Sequence, residues 1–186
     1  MNLLTNTVAE LLDFCPDAIV GLLLEGQALL AGGSVLRKVV GAVDSTDIDI
    51  FFTSSEVYAD AIVELNKHPR ITELPVQSSS FADVQGRRRK WVFRNKELDL
   101  VNLEQHVKSA APSDVLATFD INLSQIGYDG RNVIVTQAFI DGLVQRRLVD
   151  VSRRTPDTTA TRIEKYAKFL EEATRVEWRR GTTGAQ

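Results

Sequence analysis

Apolar side chains at Leu3, Leu4, Val8, Leu11 and Leu12 recur at the three-to-four-residue spacing of an amphipathic helix, and Ala18 to Leu24 extends the helical start. Gln27 to Ala31 is then a short apolar run that reads as a strand entering Gly32-Gly33, after which Ser34 to Val40 returns to helical spacing. From Asp47 to Thr53 acid and apolar residues alternate. On a strand that alternation turns Asp47 and Asp49 to one face and Ile48 and Ile50 to the other. Ser54 stands where a helix N-cap would, ahead of Val57, Ala61, Ile62 and Leu65 on one helical side. Lys90 to Arg94 and Glu97 to Leu103 are β-like runs separated by Asn95-Lys96, which predicts a hairpin.

The second half predicts a helix over Ser113 to Phe119 and a β pair over Ile121 to Tyr128 and Asn132 to Thr136, joined at Asp129-Gly130. A helix over Gln137 to Arg147 follows. Thr158 to Arg180 closes the chain as a long helix, with Ile163, Tyr166, Ala167, Leu170 and Ala173 as its core stripe, and Thr182 to Gln186 is expected to fray. The polar Ser78 to Gly86 stretch reads as a loop.

Composition narrows the class. With 186 residues, 44% of them hydrophobic, the chain suffices for one core, expected as a single domain over 1–186 with a core over about 1–110 and an accessory layer over about 111–180. Twenty-two basic and 25 acidic side chains give a net charge of −3, so no global basic field drives binding to nucleic acid. Cys15 is the only cysteine, which excludes an internal disulfide and a cysteine-based zinc site. No run approaches the length of a membrane span and the start lacks a secretory pattern, so a soluble cytoplasmic protein is expected.

Candidate chemistry sits in two places. Gly32-Gly33-Ser34 lies at a strand-to-helix turn, where unpaired backbone N–H groups and the helix dipole favour an anion such as phosphate. Asp47 and Asp49 on one strand face repel each other, and a hard divalent cation, Mg²⁺ or Mn²⁺, relieves that repulsion while recruiting phosphate oxygens. Asp99, in a later β-like run, would join them if the two strands are neighbours. Alone, a Gly-Gly-Ser turn is usually a turn and an Asp-x-Asp strand usually a solvated face. Their order and spacing give the pair its meaning. Arg37 would lie one turn into the helix, where it could neutralise phosphate, or else be a surface charge. Arg87-Arg88-Arg89-Lys90 beside Trp91 and Phe93 has two readings, a local grip on a nucleic-acid strand or a solvated strand edge with core aromatics. His68 and His106 lack partners at metal-ligand spacing.

The glycine turn, the Asp-x-Asp strand and the later single acid resemble, in that order, the DNA polymerase beta-like nucleotidyltransferase superfamily. Phe119-Asp120-Ile121, Gly127-Tyr128-Asp129-Gly130 and Thr161-Arg162-Ile163-Glu164-Lys165-Tyr166 are similar to its small stand-alone phage-type and ankyrin-associated members, a likeness spanning roughly residues 27 to 170. The resemblance implies an α+β fold: a mixed, mainly antiparallel small sheet flanked by helices, with a helical C-terminal extension. It also implies transfer of a nucleoside monophosphate from a triphosphate such as ATP to an acceptor hydroxyl on RNA, protein or a small molecule. Asp47, Asp49 and Asp99 would then hold two Mg²⁺ or Mn²⁺ ions, with Asp120 a rival third carboxylate. Gly32, Gly33, Ser34, Arg37, Arg162 and Lys165 would bind the nucleotide. The alternative is a nucleotide-binding or partner-binding module of the same fold with weak or no chemistry. No second domain able to read a particular RNA is evident, which disfavours tRNA end-addition and templated synthesis.

Overall fold

The computed structural model describes residues 3–42, 45, 47–75, 88–151 and 156–181. Helices α1 (Leu3–Ala9) and α2 (Asp17–Leu24) are joined by a 3-10 turn, Glu10–Phe14. Strand β1 (Ala28–Ala31) enters α3 (Gly33–Val40), and β2 (Asp47–Phe52) enters α4 (Ser55–Lys67), whose Ser54 cap accepts the Val57 N–H at 3.3 Å. Strand β3 (Thr72–Leu74) precedes the hairpin β4 (Arg88–Phe93) and β5 (Lys96–Asn102), followed by α5 (Pro112–Leu116), β6 (Ile126–Tyr128) and β7 (Val133–Val135). The chain continues through α6 (Gln137–Gln145), β8 (Arg147–Val149), α7 (Pro156–Thr174) and β9 (Arg179–Gly181).

Seven strands form one sheet in the order β3-β4-β5-β2-β1-β6-β7. Every neighbouring pair is antiparallel except β2 and β5, whose parallel register sets Asp49 beside Asp99 and Asp47 beside Glu97. The fold is therefore α+β, a mixed and mostly antiparallel sheet flanked by helices, with a helix near the C-terminus. β8 and β9 make a separate two-stranded parallel pair.

Alternation along β2 and β5 splits the sheet into two unlike faces. Ile48, Ile50, Phe52, Leu98 and Leu100 point to one face, where they pack in the main core with Leu30, Trp91, Leu36 and Tyr58. The other face is apolar only over half its length: Leu29, Ala31, Val101 and Leu103 pack with Val115 and Leu116, and Phe51 and Phe119 close the patch with ring centroids 4.9 Å apart. Beyond that patch the same face carries Asp47, Asp49, Glu97 and Asp99. The apolar patch packs one half of this face, and its polar end is where chemistry can occur.

Several boundaries differ from expectation. The hairpin turns at Arg94 and Asn95, both left-handed at φ 49° and 62°, one residue before the Asn95-Lys96 expected. Ile121 to Tyr128 is not one strand, because Asn122–Ser124 winds into a 3-10 turn and only Ile126–Tyr128 pairs. The α5 helix stops at Leu116 rather than Phe119. The α6 helix ends at Gln145, where Arg146 turns left-handed at φ 50° and releases the chain into β8. The closing helix ends at Thr174; the buried Trp178, its Nε1 donating to Thr174 Oγ1 at 3.2 Å, redirects the chain into β9. The Ser78–Gly86 loop, Arg87 and the 182–186 tail lie outside the described residues. Cys15 is buried, its thiol pushed up to about 12 by burial, and is therefore unreactive. Among the described residues no helix is long and apolar enough to cross a membrane.

Candidate active site

Gly32 caps α3 in a conformation only glycine adopts readily, φ 87° and ψ −139°, with its N–H donated to the Ile126 carbonyl at 2.9 Å. A β-carbon here would stand 3.6 Å from the Phe119 ring and 4.0 Å from Asp49 Oδ2. The turn and the acid are thus in direct apposition. One residue on, a β-carbon at Gly33 would stand 3.2 Å from the Tyr166 hydroxyl, so α7 lies over the turn. Ser34, in the first turn of α3, has a buried hydroxyl with no hydrogen-bond partner among the described residues. Arg37, in the last turn of the same helix, lays its guanidinium on the Phe169 ring, 4.1 Å from the centroid.

The two acids of β2 differ in environment. At Asp47 burial pushes the carboxyl up, but the Ser45 hydroxyl, its own backbone N–H and the charges of Lys165 and Lys90 together hold it below the usual carboxylate range. At Asp49 burial, reinforced by the charges of Asp99 and Asp47, outweighs the opposing Arg88 and Arg162 and pushes the carboxyl up to about 7. One acid is held ionised while its neighbour strains against ionising.

Asp99 is fully buried. Its Oδ2 accepts from Arg88 Nη2 and lies 3.6 Å from Lys90 Nζ, whereas its Oδ1 has no partner among the described residues. Asp120, the rival, is engaged through Oδ2 by Arg162 Nη1 of α7. Arg162 and Asp49 both bear on Tyr166, whose hydroxyl burial pushes up to about 12. Lys165, on the same helix, adds its field at Asp47. The structure therefore brings Gly32, Asp47, Asp49 and Asp99 to one end of one sheet face, with Arg162, Lys165 and Tyr166 on the helix above, and turns Arg37 toward Phe169.

Among the described residues no group of three or more His, Cys, Asp or Glu side chains is gathered closely enough to hold a metal as it stands. At this end of the face Arg88 occupies Asp99. The donor set nevertheless suits a hard cation: two carboxylates on one face, one of them destabilised by burial and by its acidic neighbours, and a third with a buried oxygen lacking any partner among the described residues.

Four contributors were not legible as such. Ser45 carries no motif, Tyr166 closes the Thr161 to Tyr166 run but reads as core, and Arg88 with Lys90 read as strand edge or nucleic-acid contact. Trp91 is fully buried with its Nε1 donating to Asn66 Oδ1 at 3.2 Å, and Phe93 is also core, so neither is available to stack a base. His68 supports its own turn, its Nδ1 accepting from the Arg70 N–H at 3.2 Å.

No family model matches the chain, and no curated protein matches it. Solved structures do share the fold. One described as a tRNA-processing enzyme in apo form I superposes with a TM-score of 0.58 at 13% identity, over 89% of this chain and 44% of that one. The Thermotoga maritima CCA-adding enzyme complexed with tRNA gives 0.57 at 14%, over 93% and 42%, and a CCA-adding enzyme with ATP gives 0.55 at 14%, over 94% and 42%. The chain spans less than half the length of these structures. Their likeness to it is one of fold.

Proposed function

We propose that the chain is a metal-dependent nucleotidyltransferase of the polymerase beta-like kind, related to its small phage-type and ankyrin-associated members, that moves a nucleoside monophosphate from a triphosphate to an acceptor hydroxyl. The observation that carries this reading is the apposition of Gly32 to Asp49 Oδ2, because it sets a phosphate cradle against a carboxylate pair. The neighbours bound to ATP and to tRNA support nucleotide as donor and RNA as one acceptor class.

Gly32 and Gly33 let the triphosphate tail approach the first turn of α3, where backbone N–H groups and the Ser34 hydroxyl are donors to its oxygens. Arg162 and Lys165 stand above as cations that offset its charge. Asp47 and Asp49, with Asp99 Oδ1 as third oxygen, would hold Mg²⁺ or Mn²⁺, which supplies charge neutralisation and a lowered pKa for the acceptor hydroxyl. With the tail fixed, the α-phosphorus is held for in-line attack. The acceptor oxygen forms a bond to the α-phosphorus, the α–β bridging bond breaks, pyrophosphate departs and the hydroxyl proton passes to water.

A second reading, a nucleotide-binding module without transfer, is favoured by one observation: Asp99 Oδ2 is already filled by Arg88. Incubation with each α-labelled triphosphate, Mg²⁺ or Mn²⁺ and cell extract distinguishes them. Label passing to RNA, protein or a small molecule, and lost in Asp47→Asn, is the expected result. Retained labelling in Asp47→Asn would remove the proposed site, and triphosphate binding without any transfer would establish the module.

A further inference from the structure

Asp99 has an unusual pair of neighbours for a would-be ligand. Strand β4 runs antiparallel to β5 with Lys90 directly across from Asp99, and Arg88, two residues away, shares the same face. Both cations therefore reach the carboxylate from the strand next door, Arg88 by a hydrogen bond to Oδ2 and Lys90 at 3.6 Å.

The contact is not a completed structural ion pair. Arginine and carboxylate can close two parallel hydrogen bonds, but here the guanidinium uses one, and among the described residues neither its buried Nε nor Asp99 Oδ1 has a partner. Lys90 is committed chiefly elsewhere, to Glu97 at 2.5 Å. A half-satisfied pair leaves buried polar groups that would gain from another arrangement. Arg88 also keeps about a quarter of its side chain exposed, so the guanidinium has an open side.

We propose that Arg88 is an internal counter-cation that occupies Asp99 in place of a divalent ion, so that loading the carboxylate site requires the guanidinium to be displaced. The inference rests on the reading of Asp47, Asp49 and Asp99 as the metal-holding set. A cation entering beside Asp49 meets Arg88 as a like charge at short range and finds one oxygen of the third ligand taken. Metal and guanidinium thus compete for one carboxylate, and removal of either strengthens binding of the other.

Titrating the full chain with Mn²⁺ in the absence of nucleotide, and following the free ion by electron paramagnetic resonance, tests this. Arg88→Met should bind Mn²⁺ about tenfold more tightly than the wild type, a gain within the ordinary range of coupling between two sites. Arg88→Lys should fall between the two. Equal or weaker binding by Arg88→Met, while Asp49→Asn abolishes binding in the wild-type background, would overturn the competition and leave the metal site standing. Binding that Asp49→Asn does not diminish, or no binding by any variant, would remove the site itself and the inference with it. Should Arg88→Met fail to fold, Arg88→Gln serves instead: tighter Mn²⁺ binding than the wild type supports competition, and equal or weaker binding refutes it.

Discussion

Replacing Asp49 by Asn should stabilise the metal-free protein at alkaline pH, although it removes a carboxylate placed at the candidate catalytic centre. The native carboxyl is pushed up to about 7 by burial and by Asp99 and Asp47, whereas an unfolded Asp titrates near 3.9. Between those values the native state binds more protons than the unfolded chain, so Asp49 costs stability progressively as pH rises through that window. At about 1.4 kcal/mol per pKa unit, the rise from about 3.9 to about 7 bounds the cost near 4 kcal/mol. Partial exposure and relaxation between the neighbouring charges reduce it to about 1–2 kcal/mol. For a chain of this length each kcal/mol moves the midpoint by about 2–4 °C, so Asp49→Asn should melt roughly 2–8 °C higher than the wild type at pH 8 in chelator. At pH 4, where the native carboxyl is protonated and resembles an amide, the difference should vanish. Saturating Mn²⁺ at pH 8 should invert the order, because a ligand at 100 times its dissociation constant adds about 2.7 kcal/mol to the wild type alone. A destabilised Asp49→Asn at pH 8, or a gain that persists unchanged at pH 4, would refute the assignment of repulsion at this carboxylate.

Gly142→Ala should lose about 2–4 kcal/mol in urea unfolding, because its β-carbon would fall 2.0 Å from Asn122 Nδ2, which donates to the Arg147 carbonyl at 2.9 Å while Asn122 Oδ1 accepts from the Val149 N–H at 3.0 Å. Gly32→Ala should cost about 1–2 kcal/mol of stability from its φ of 87° and should weaken triphosphate binding in calorimetry, since the new methyl crowds the space between the turn and Asp49. Arg162→Met, which strips the partner from Asp120 and a cation from the site, should raise the apparent KM for triphosphate about tenfold or more with a smaller change in kcat; an unchanged KM would place Arg162 in a purely structural pair.

The alternating Asp47 to Phe52 strand and the apolar run into Gly32 were legible because each is governed by nearest neighbours: side-chain period in one, glycine and a helix start in the other. The parallel placement of β5 against β2 was not, since nothing in either run states its partner, and the sequence offered only the condition under which Asp99 would arrive. Hairpin register shows how a small local ambiguity grows. A turn at Asn95-Lys96 would set Val92 opposite Asp99, whereas the turn at Arg94 and Asn95 sets Lys90 there and brings Arg88 with it. The counter-cation on Asp99 follows from that two-residue difference. β3, β8 and β9 are three residues each, too short for periodicity to register, and they exist through pairing alone. Tyr166 looked like core because it is core: only the three-dimensional approach of α7 to Gly33 gives its hydroxyl a place in the site.

The central claim is that one end of the β1, β2 and β5 face holds a divalent cation next to a phosphate cradle. Crystals soaked with Mn²⁺ and a non-hydrolysable triphosphate, measured at the manganese absorption edge, test it most directly. The account predicts an anomalous peak between the Asp47 and Asp49 carboxylates, phosphates against Gly32 to Ser34, and Arg88 withdrawn from Asp99. A peak elsewhere on the protein, or a triphosphate bound away from the α3 turn, would contradict it.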